Sequence, residues 1–345
     1  MEKSTVIGID LSKRFMQVCT IDGEGNAIEE VRVPRDRLAE TVSVHRGAVV
    51  AMEACGGAHH WGRTFERLGH EVRLIAPYVA KAYRDPACKD DRRDARAIAE
   101  AGSRPHARAI PVKDAQTQAL QSLERIEALY ARQRTQLGNA LRGLLTEFGI
   151  VLPKGPGHLT RRVPELMASG AWAAVPSTLQ DALAELFAQF LAIGERLAEA
   201  KKRLVSAAAA DPRARLLTSV PGIGPLTAAG FVAAVADAAR FECGRDLAAW
   251  LGLTPKLYQS GDTCLLLGIS KRGNPRLRSL MVIGAQSMLR RYAEGRHHDD
   301  PLAQWARALL KRKPRNVVAV ALANKLARIA WRVAVSGHPY HPRAV

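Results

Sequence analysis

The order of the apolar runs in the first 75 residues constrains the fold of this chain more than any other feature of its sequence. Three β-branched runs come first with no helix between them, and helices and strands then alternate. The predicted elements are strands at 5–11, 15–21 and 27–33, a helix at 37–44, a strand at 48–52, a helix at 61–68 and a strand at 71–75. A strand meander followed by alternating helix and strand predicts an α/β domain.

Four carboxylates fall at the ends of these elements. Asp10 ends the first strand, Glu53 follows the strand at 48–52, and Asp91 and Asp94 lie three residues apart at the start of an alanine-rich helical stretch. Residues three apart share a helix face, so acids from two strand ends and one helix can converge on one point. Such a cluster is costly to bury without a cation, and Mg²⁺ prefers carboxylate oxygens. The element order, with acids on the carboxyl side of the sheet, therefore predicts an RNase H-like domain that binds Mg²⁺.

The charge balance of the chain indicates a polyanionic partner. The 345 residues include 51 Lys and Arg against 33 Asp and Glu, a formal net charge of +18. From Leu265 to the end there are 16 basic and 3 acidic residues, so the excess is concentrated in the last quarter. Carboxylate-bound metals act on phosphodiesters, so the sequence predicts an enzyme that acts on nucleic acid. No apolar run approaches transmembrane length, and a membrane partner is not expected.

The cysteines and the amino terminus predict a cytoplasmic protein. The first residues lack a signal-peptide pattern. The five cysteines are scattered and odd in number, and no CxxC pair is present. This usage is typical of reduced thiols, and it argues against a structural zinc site.

The middle of the chain has helical periodicity. Leucines recur at helical spacing over 114–148 and again over 179–204, and a Pro/Gly-rich break at 152–157 separates the two stretches. We expect an antiparallel helical, coiled-coil arm over 111–212. The arm is either a spacer within one chain or a dimerisation surface, and the width of its apolar face favours dimerisation.

Two features of the C-terminal part of the chain predict contacts with phosphates. The string SVPGIGPLTAAGFVAAV resembles a helix-hairpin-helix, in which the turn with Gly222 and Gly224 presents backbone N–H groups to a phosphate. A Pro-Gly turn between core helices has the same pattern, but the basic surroundings favour contact with a nucleic-acid backbone. The run Lys311, Arg312 and Lys313 fits either a phosphate contact or a solvated helix flank.

A second chemical centre is predicted around Ser260. This serine precedes a glycine in a polar turn, where a bulky phosphate can approach the hydroxyl. The cations that follow within one turn-and-helix unit can hold a scissile phosphate and stabilise charge on its oxygens. They are Lys271, Arg272, Arg276 and Arg278. A serine near arginines is common in any basic turn, so composition alone makes Ser260 a weak candidate for a nucleophile.

The whole chain resembles the DEDD transposases of bacterial insertion sequences, which are RNA-guided serine recombinases related to the pilin-gene invertases. The strings that carry the resemblance are GIDLSK, AMEACGG, KDDRRDARAIA, SVPGIGPLTA, LAAWLGLTP, YQSG and SKRGNPRLR, in this order. The resemblance implies a RuvC-like domain over 1–110, the helical linker over 111–212 and a mainly α transposase domain over 213–345.

The resemblance also implies roles for individual residues. Asp10, Glu53, Asp91 and Asp94 would form the acidic set that binds Mg²⁺, and Ser260 would be the nucleophile that links to DNA.

One motif departs from the family pattern. Where the family usually has Lys-Thr-Asp, this chain has Lys89-Asp90-Asp91. The spacing to Asp94 favours Asp91 as the ligand and leaves Asp90 as a substitute.

The partners implied by the resemblance are donor and target DNA, a guide (bridge) RNA, and further copies of the chain in a homodimer or homotetramer. Acids from one protomer would then face the serine of another. Two other functions fit the residues. A nuclease of the Holliday-junction resolvase type would use only the acids and water, and a non-catalytic nucleic-acid-binding protein would use neither centre.

Overall fold

The computed structural model describes residues 5–84, 90–104, 109–260, 263–294 and 300–342. The chain divides into two compact units, Met1–Gln116 and Thr117–Val345. The elements of the first unit are β1 (Val6–Asp10), β2 (Phe15–Ile21), β3 (Ala27–Pro34), α1 (Leu38–Ser43), β4 (Val49–Glu53), α2 (Ala58–Arg67), β5 (Glu71–Ile75), α3 (Pro77–Lys81) and α4 (Asp91–Ser103).

The first unit contains a five-stranded sheet in the order β3-β2-β1-β4-β5. The β1–β2 and β2–β3 pairs are antiparallel, whereas β1–β4 and β4–β5 are parallel. The parallel pairs need helical crossovers, which α1 and α2 supply. The predicted mixed α/β sheet is confirmed, with small shifts in strand ends, and its assignment as RuvC-like stays a prediction.

Helices cover both faces of this sheet. On one face, Trp61 and Phe65 of α2 pack in a core with Ile7, Ile9 and Leu74. On the other face, the small side chains of α4 allow the helix backbone to approach the strands closely.

The close approach of α4 to the sheet is sterically possible because two positions are glycine. A Cβ at Gly8 in β1 would collide with the backbone of α4 at Ala95 and Ala99, and one at Gly102 would collide with Ala51. Because 95–99 lies over Gly8 whereas a Cβ at Gly102 would be 3.6 Å from Val6 at the start of β1, α4 runs antiparallel to β1. Its first turn is therefore carried to the carboxyl end of β1.

The second unit begins with the predicted arm. Its elements are α5 (Ala115–Thr146), α6 (Pro156–Met167), α7 (Ser177–Ala210), α8 (Pro212–Leu217), α9 (Pro225–Val235), α10 (Gly244–Trp250), β6 (Pro255–Ser260), β7 (Thr263–Ile269), α11 (Pro275–Ala293), α12 (Pro301–Leu310) and α13 (Arg315–Ser336). Helices α5 and α7 are antiparallel. The Arg134 guanidinium lies 5.2 Å from the Phe190 ring centroid, and Leu120 shares a core with Leu204.

Helix α6 closes the far end of the arm. Leu159 and Val163 from α6 join Leu145 of α5 and Phe187 of α7 in a separate apolar cluster. The antiparallel helical arm is confirmed, but a coiled coil and a dimerisation role stay predictions.

The base of the arm and the C-terminal helices form one core. Leu204 and Ala208 of α7 pack with residues of α9, α11 and α13, including Phe231, Met281 and Leu326. The arm and the C-terminal helices therefore belong to one compact unit, and the three-part division of the sequence stays a prediction.

Candidate active site

Asp10 and Glu53 lie at the carboxyl ends of two neighbouring parallel strands. In the β1–β4 register Ile9 is opposite Met52, so the next residue along each strand is an acid at the same sheet edge. Asp94 lies in the first turn of α4, which the antiparallel helix brings to this edge. The convergence expected from the sequence is therefore present in the geometry.

An arginine that the sequence did not single out joins two of these acids. Arg84 Nη2 donates to Glu53 Oε2 at 2.8 Å, and Arg84 Nε is 2.9 Å from Asp94 Oδ1. The Asp94 side chain is only 14 % exposed. One guanidinium thus spans the gap between a strand end and a helix start. No sequence pattern marks Arg84, because its role depends on a turn that follows α3.

The pKa of Asp10 reflects the charges of the neighbouring acids. Burial, followed by the charges of Asp94, Asp91 and Glu53, raises the pKa of Asp10 from 3.8 to about 6, although Arg84 opposes the rise. The raised pKa indicates that the other three acids lie close enough to act on Asp10 through space. Perturbed carboxylates of this kind concentrate at functional sites.

The structure distinguishes Asp90 from Asp91. Asp90 is the N-cap of α4, and its Oδ1 accepts a hydrogen bond from Arg92 N at 3.2 Å. Asp91 instead contributes to the raised pKa of Asp10. This arrangement favours Asp91 as the member of the acidic set, whereas Lys89 lies outside the described residues.

The oxygen donors of this cluster fit a divalent cation, but the side chains are not arranged at metal-binding distances from a common point. Asp10, Glu53, Asp91 and Asp94 supply only oxygen donors, as Mg²⁺ prefers. Within the described ranges no three acidic, thiol or imidazole groups stand together at metal-binding spacing. The Arg84 guanidinium fills the space between Glu53 and Asp94, so it would have to withdraw before these carboxylates could share one ion.

Ser260 lies on an exposed β-hairpin. It ends β6 and pairs with Thr263 at the start of β7. The sequence placed it in a polar turn; it is the last strand residue, and its neighbours Gly261 and Asp262 lie outside the described residues. Among the residues that the structure describes, no side chain hydrogen-bonds the Ser260 hydroxyl. Ser260 is exposed, and no described side chain is placed to accept the proton of its hydroxyl through a hydrogen bond.

The hairpin also exposes large apolar side chains on both strands. They are Leu257, Tyr258, Leu265, Leu266 and Leu267.

Two of the four predicted phosphate-binding cations have internal partners. Arg276 pairs with the buried carboxylates Glu124 and Glu127 of α5. Arg278 Nη1 donates to Leu251 O at 2.9 Å and to Arg272 O at 2.8 Å. Both arginines therefore tie α11 to neighbouring elements. The sequence did not reveal these pairings, and a nucleic-acid role for the two arginines stays a prediction.

The other two cations lie on the exposed turn between β7 and α11. Gly273 has a φ of 75° and packs so tightly against Trp250 O that a Cβ would collide with it. Lys271 also has a positive φ, 55°, and its backbone N donates to Gly252 O at 3.1 Å. The turn is thus fixed against the end of α10, while the Lys271 and Arg272 side chains are exposed.

The turn with Gly222 and Gly224 joins α8 to α9. Gly222 has a φ of 81°, and a Cβ there would meet Met288 of α11. This half of the turn packs in the interior, as in the alternative of a turn between core helices. Gly224 is exposed at the start of α9. Its contact with phosphate stays a prediction.

The basic run between α12 and α13 is exposed at all three positions. Lys311, Arg312 and Lys313 have no ion-pair partner in the part of the chain that the structure describes. In the same part of the chain no helix is long and apolar enough to cross a membrane.

Both units match models of known protein families. Residues 214–299 match the family described as "Transposase IS116/IS110/IS902 family". Residues 7–150 match the DEDD model of the IS110 type, described as "Transposase". The two matches lie on either side of the arm tip, and each contains one of the two candidate centres.

Relatives that align over nearly the whole chain have the same description. The chain is 39% identical over 336 residues to a probable family 20 transposase of Pseudomonas aeruginosa, covering 97% of this chain and 98% of the relative. It is 37% identical over 340 residues to the transposase for insertion sequence element IS1111A of Coxiella burnetii, covering 99% and 92%. It is 36% identical over 341 residues to the transposase for insertion sequence element IS1328 of Yersinia enterocolitica, covering 98% of each.

Proposed function

Because the chain belongs to the IS110/IS116 family of insertion-sequence transposases, and is thus an enzyme that cuts and rejoins DNA, we propose that it does so through a phosphoserine intermediate on Ser260. The observation that carries the proposed chemistry on DNA is the convergence of the acids at one sheet edge, with the pKa of Asp10 raised to about 6. Neighbouring carboxylates repel one another and do not stabilise a fold, so a cluster of this kind is typical of a site that acts on a phosphodiester. The choice of Ser260 as nucleophile follows from the resemblance and from the exposure of this residue.

In the proposed reaction, Ser260 Oγ attacks a backbone phosphorus atom. One Oγ–P bond forms and one P–O bond of the DNA breaks; the serine proton passes to a base, and the departing DNA oxygen takes up a proton. Attack by a DNA hydroxyl on the phosphoserine reverses the exchange, so strands are rejoined without an external energy source. The exposure of Ser260 at the end of β6 supports access of a DNA backbone to the hydroxyl.

The acids would hold Mg²⁺, which when bound supplies Lewis-acid stabilisation of charge on phosphate oxygens. The residues for this role are Asp10, Glu53, Asp91 and Asp94. In the metal-free protein Arg84 pairs with both Glu53 and Asp94 and offsets part of their negative charge. The exposed side chains of Lys271 and Arg272 would hold the backbone phosphate.

The proposed partners are donor and target DNA, a guide RNA encoded by the element, and one or three further copies of the chain. The net charge of +18 supports binding to phosphate backbones, which should weaken steeply with salt. Exchange of several strands requires more than one serine, which supports a dimer or tetramer.

Covalent trapping tests the nucleophile. Purified protein, Mg²⁺, the element's non-coding RNA and labelled donor and target DNA would be incubated and then denatured. We expect labelled DNA on the native protein and none on Ser260→Ala. Ser270→Ala is the matched control, because this serine lies in the same region and uses its backbone N–H, donated to Thr254 O at 2.8 Å, rather than its hydroxyl. It should retain the adduct.

A second candidate function rests on a specific observation. The four acids lie together at one sheet edge, whereas no described side chain hydrogen-bonds the Ser260 hydroxyl. A metal-dependent nuclease that uses water as the nucleophile would have this arrangement. Cleavage that survives Ser260→Ala, gives no adduct and disappears in Asp10→Asn would establish that nuclease and refute the serine mechanism.

A further inference from the structure

A cavity of about 760 Å³ lies within the second unit, and none of its lining residues belongs to either candidate centre. It is bounded by the start of α10, by α12, by α13 and by the tail at 338–341. The residues that matter for its chemistry are Arg245, Lys325, Arg328, Trp331, Arg332 and Tyr340. Its volume falls in the range of about 300–1,000 Å³ that is typical of small-ligand sites.

Four cationic residues line this one cavity. Lys325, Arg328 and Arg332 follow one another at spacings of three and four residues, so they share one face of α13. Arg245 comes from α10, whose start lies directly on α13. A Cβ at Gly244 would be 3.0 Å from Arg328 Cα. A side chain at position 244 would therefore require α13 to shift slightly.

No carboxylate of the described residues pairs with these cations, and the one aromatic contact is that of Lys325 Nζ, 4.1 Å from the Trp305 ring centroid. The nearby acids serve other purposes: Asp246 Oδ2 accepts from Cys243 N, and Asp300 accepts from Tyr292 and from Leu302 N. Like charges at this spacing repel and destabilise a helix. Burial and the charge of Arg328 accordingly lower the pKa of Lys325.

Aromatic side chains line the same cavity and are held in place. Trp331 Nε1 donates to Ala238 O at 3.1 Å, which fixes the indole. Tyr340 is anchored through its backbone, because its N–H donates to Ser219 Oγ at 2.9 Å. The phenol ring is therefore positioned by the chain and not by its own hydroxyl.

We propose that this cavity binds one or two unpaired nucleotides of a single-stranded nucleic acid. Flat aromatic surfaces beside unpaired cations match the two halves of a nucleotide, because the base stacks and the phosphate pairs with the cations. A duplex is excluded from the concave part, since its bases are stacked and paired inside. The proposal shares with the proposed function only the presence of a nucleic-acid partner, and it does not involve the acids or Ser260.

Fluorescence anisotropy tests the proposal with three labelled probes: an oligo-U RNA, an oligo-T DNA and a mixed-sequence duplex DNA. We expect the double variant Arg328→Glu/Arg332→Glu to bind the single strands at least about tenfold more weakly. The slope of log K against log salt should fall by about 1.4, for two lost phosphate contacts. Duplex binding should change by less than about threefold. The tighter of the two single strands identifies whether RNA or DNA is the ligand.

Two further variants make the test decisive. Arg132→Glu/Lys201→Glu makes the same charge change on exposed positions of the arm, and it should leave single-strand binding near the native value. Tyr340→Ala removes a stacking surface without a charge change and keeps the backbone bond to Ser219; it should weaken single-strand binding about fivefold or more. Equal losses in the arm variant, equal losses on duplex, or no loss in either cavity variant would overturn the proposal. Covalent trapping on Ser260 is a separate readout, so either proposal can fail alone.

Discussion

Raising the pH from 4 to 7 should destabilise the metal-free protein through one identified group, Asp10. Its pKa is raised from 3.8 in the unfolded chain to about 6 in the folded protein. The folded state therefore binds the proton more tightly, and stability that is present below pH 4 is lost as the pH rises through about 6. This direction is opposite to that of Asp22 and Asp211, whose pKa values are lowered.

The magnitude follows from the size of the shift. At 1.36 kcal/mol per pKa unit, the shift corresponds to at most about 3 kcal/mol. Asp10 is partly exposed, and solvent screening reduces the expected effect to about 1–2 kcal/mol.

The assay compares the native protein with Asp10→Asn. Urea unfolding would be followed at several pH values between 4 and 7 in the presence of a chelator. Taking the difference between the two proteins cancels the carboxylates that do not interact with Asp10. We expect the variant to gain about 1–2 kcal/mol relative to the native protein between pH 4 and pH 7. Mg²⁺ at pH 7 should stabilise the native protein and have a smaller effect on the variant.

A difference that stays constant with pH would refute this reasoning, because it would mean that Asp10 does not sense the other acids. A difference of the opposite sign would show that Asp10 is stabilised as a carboxylate in the metal-free protein.

Three further substitutions test the packing around the two centres. Arg84→Ala should lower the melting temperature of the metal-free protein, because Glu53 and Asp94 lose their counter-ion, and should tighten Mg²⁺ binding in calorimetry; weaker Mg²⁺ binding would contradict the role described for Arg84. Arg276→Met should cost about 3 kcal/mol in thermal unfolding, since it removes the guanidinium that pairs with the buried Glu127 carboxylate; an unchanged melting temperature would mean that this ion pair does not stabilise the fold. Gly8→Ala should cost about 3 kcal/mol in urea unfolding, because its Cβ collides with the α4 backbone, whereas Gly56→Ala meets nothing within 4 Å and should be near neutral.

The sheet and its acids could be predicted because they depend on local patterns. The strand at 48–52 and the acid after it, for instance, are adjacent in sequence, and the observed β4 ends on Glu53 itself. The antiparallel arm could be predicted for the same reason, since helical spacing and a Pro/Gly break are local signals.

The contacts that tune the sites could not be predicted, because they join distant parts of the chain. Arg84 meets Glu53 across 31 residues, and Arg276 meets Glu127 across 149. A single sequence shows each of these arginines as one basic residue among 51 Lys and Arg. The hairpin at 255–269 was also missed as a pair of strands, because exposed leucines on both strands give no alternation of apolar and polar residues.

The low stability of the hairpin that carries Ser260 affects when the proposed reaction can occur. A two-stranded hairpin is marginally stable by itself, and here the large apolar side chains Leu257, Leu265 and Leu266 remain in water. Local opening therefore costs little free energy, so amide hydrogens of β6 should exchange with solvent much faster than those of α13, whose apolar face is buried. In the proposed mechanism, Ser260 gains a fixed orientation only when another surface covers the leucines. We therefore propose that reactivity depends on assembly and that a lone copy of the chain does not cut DNA.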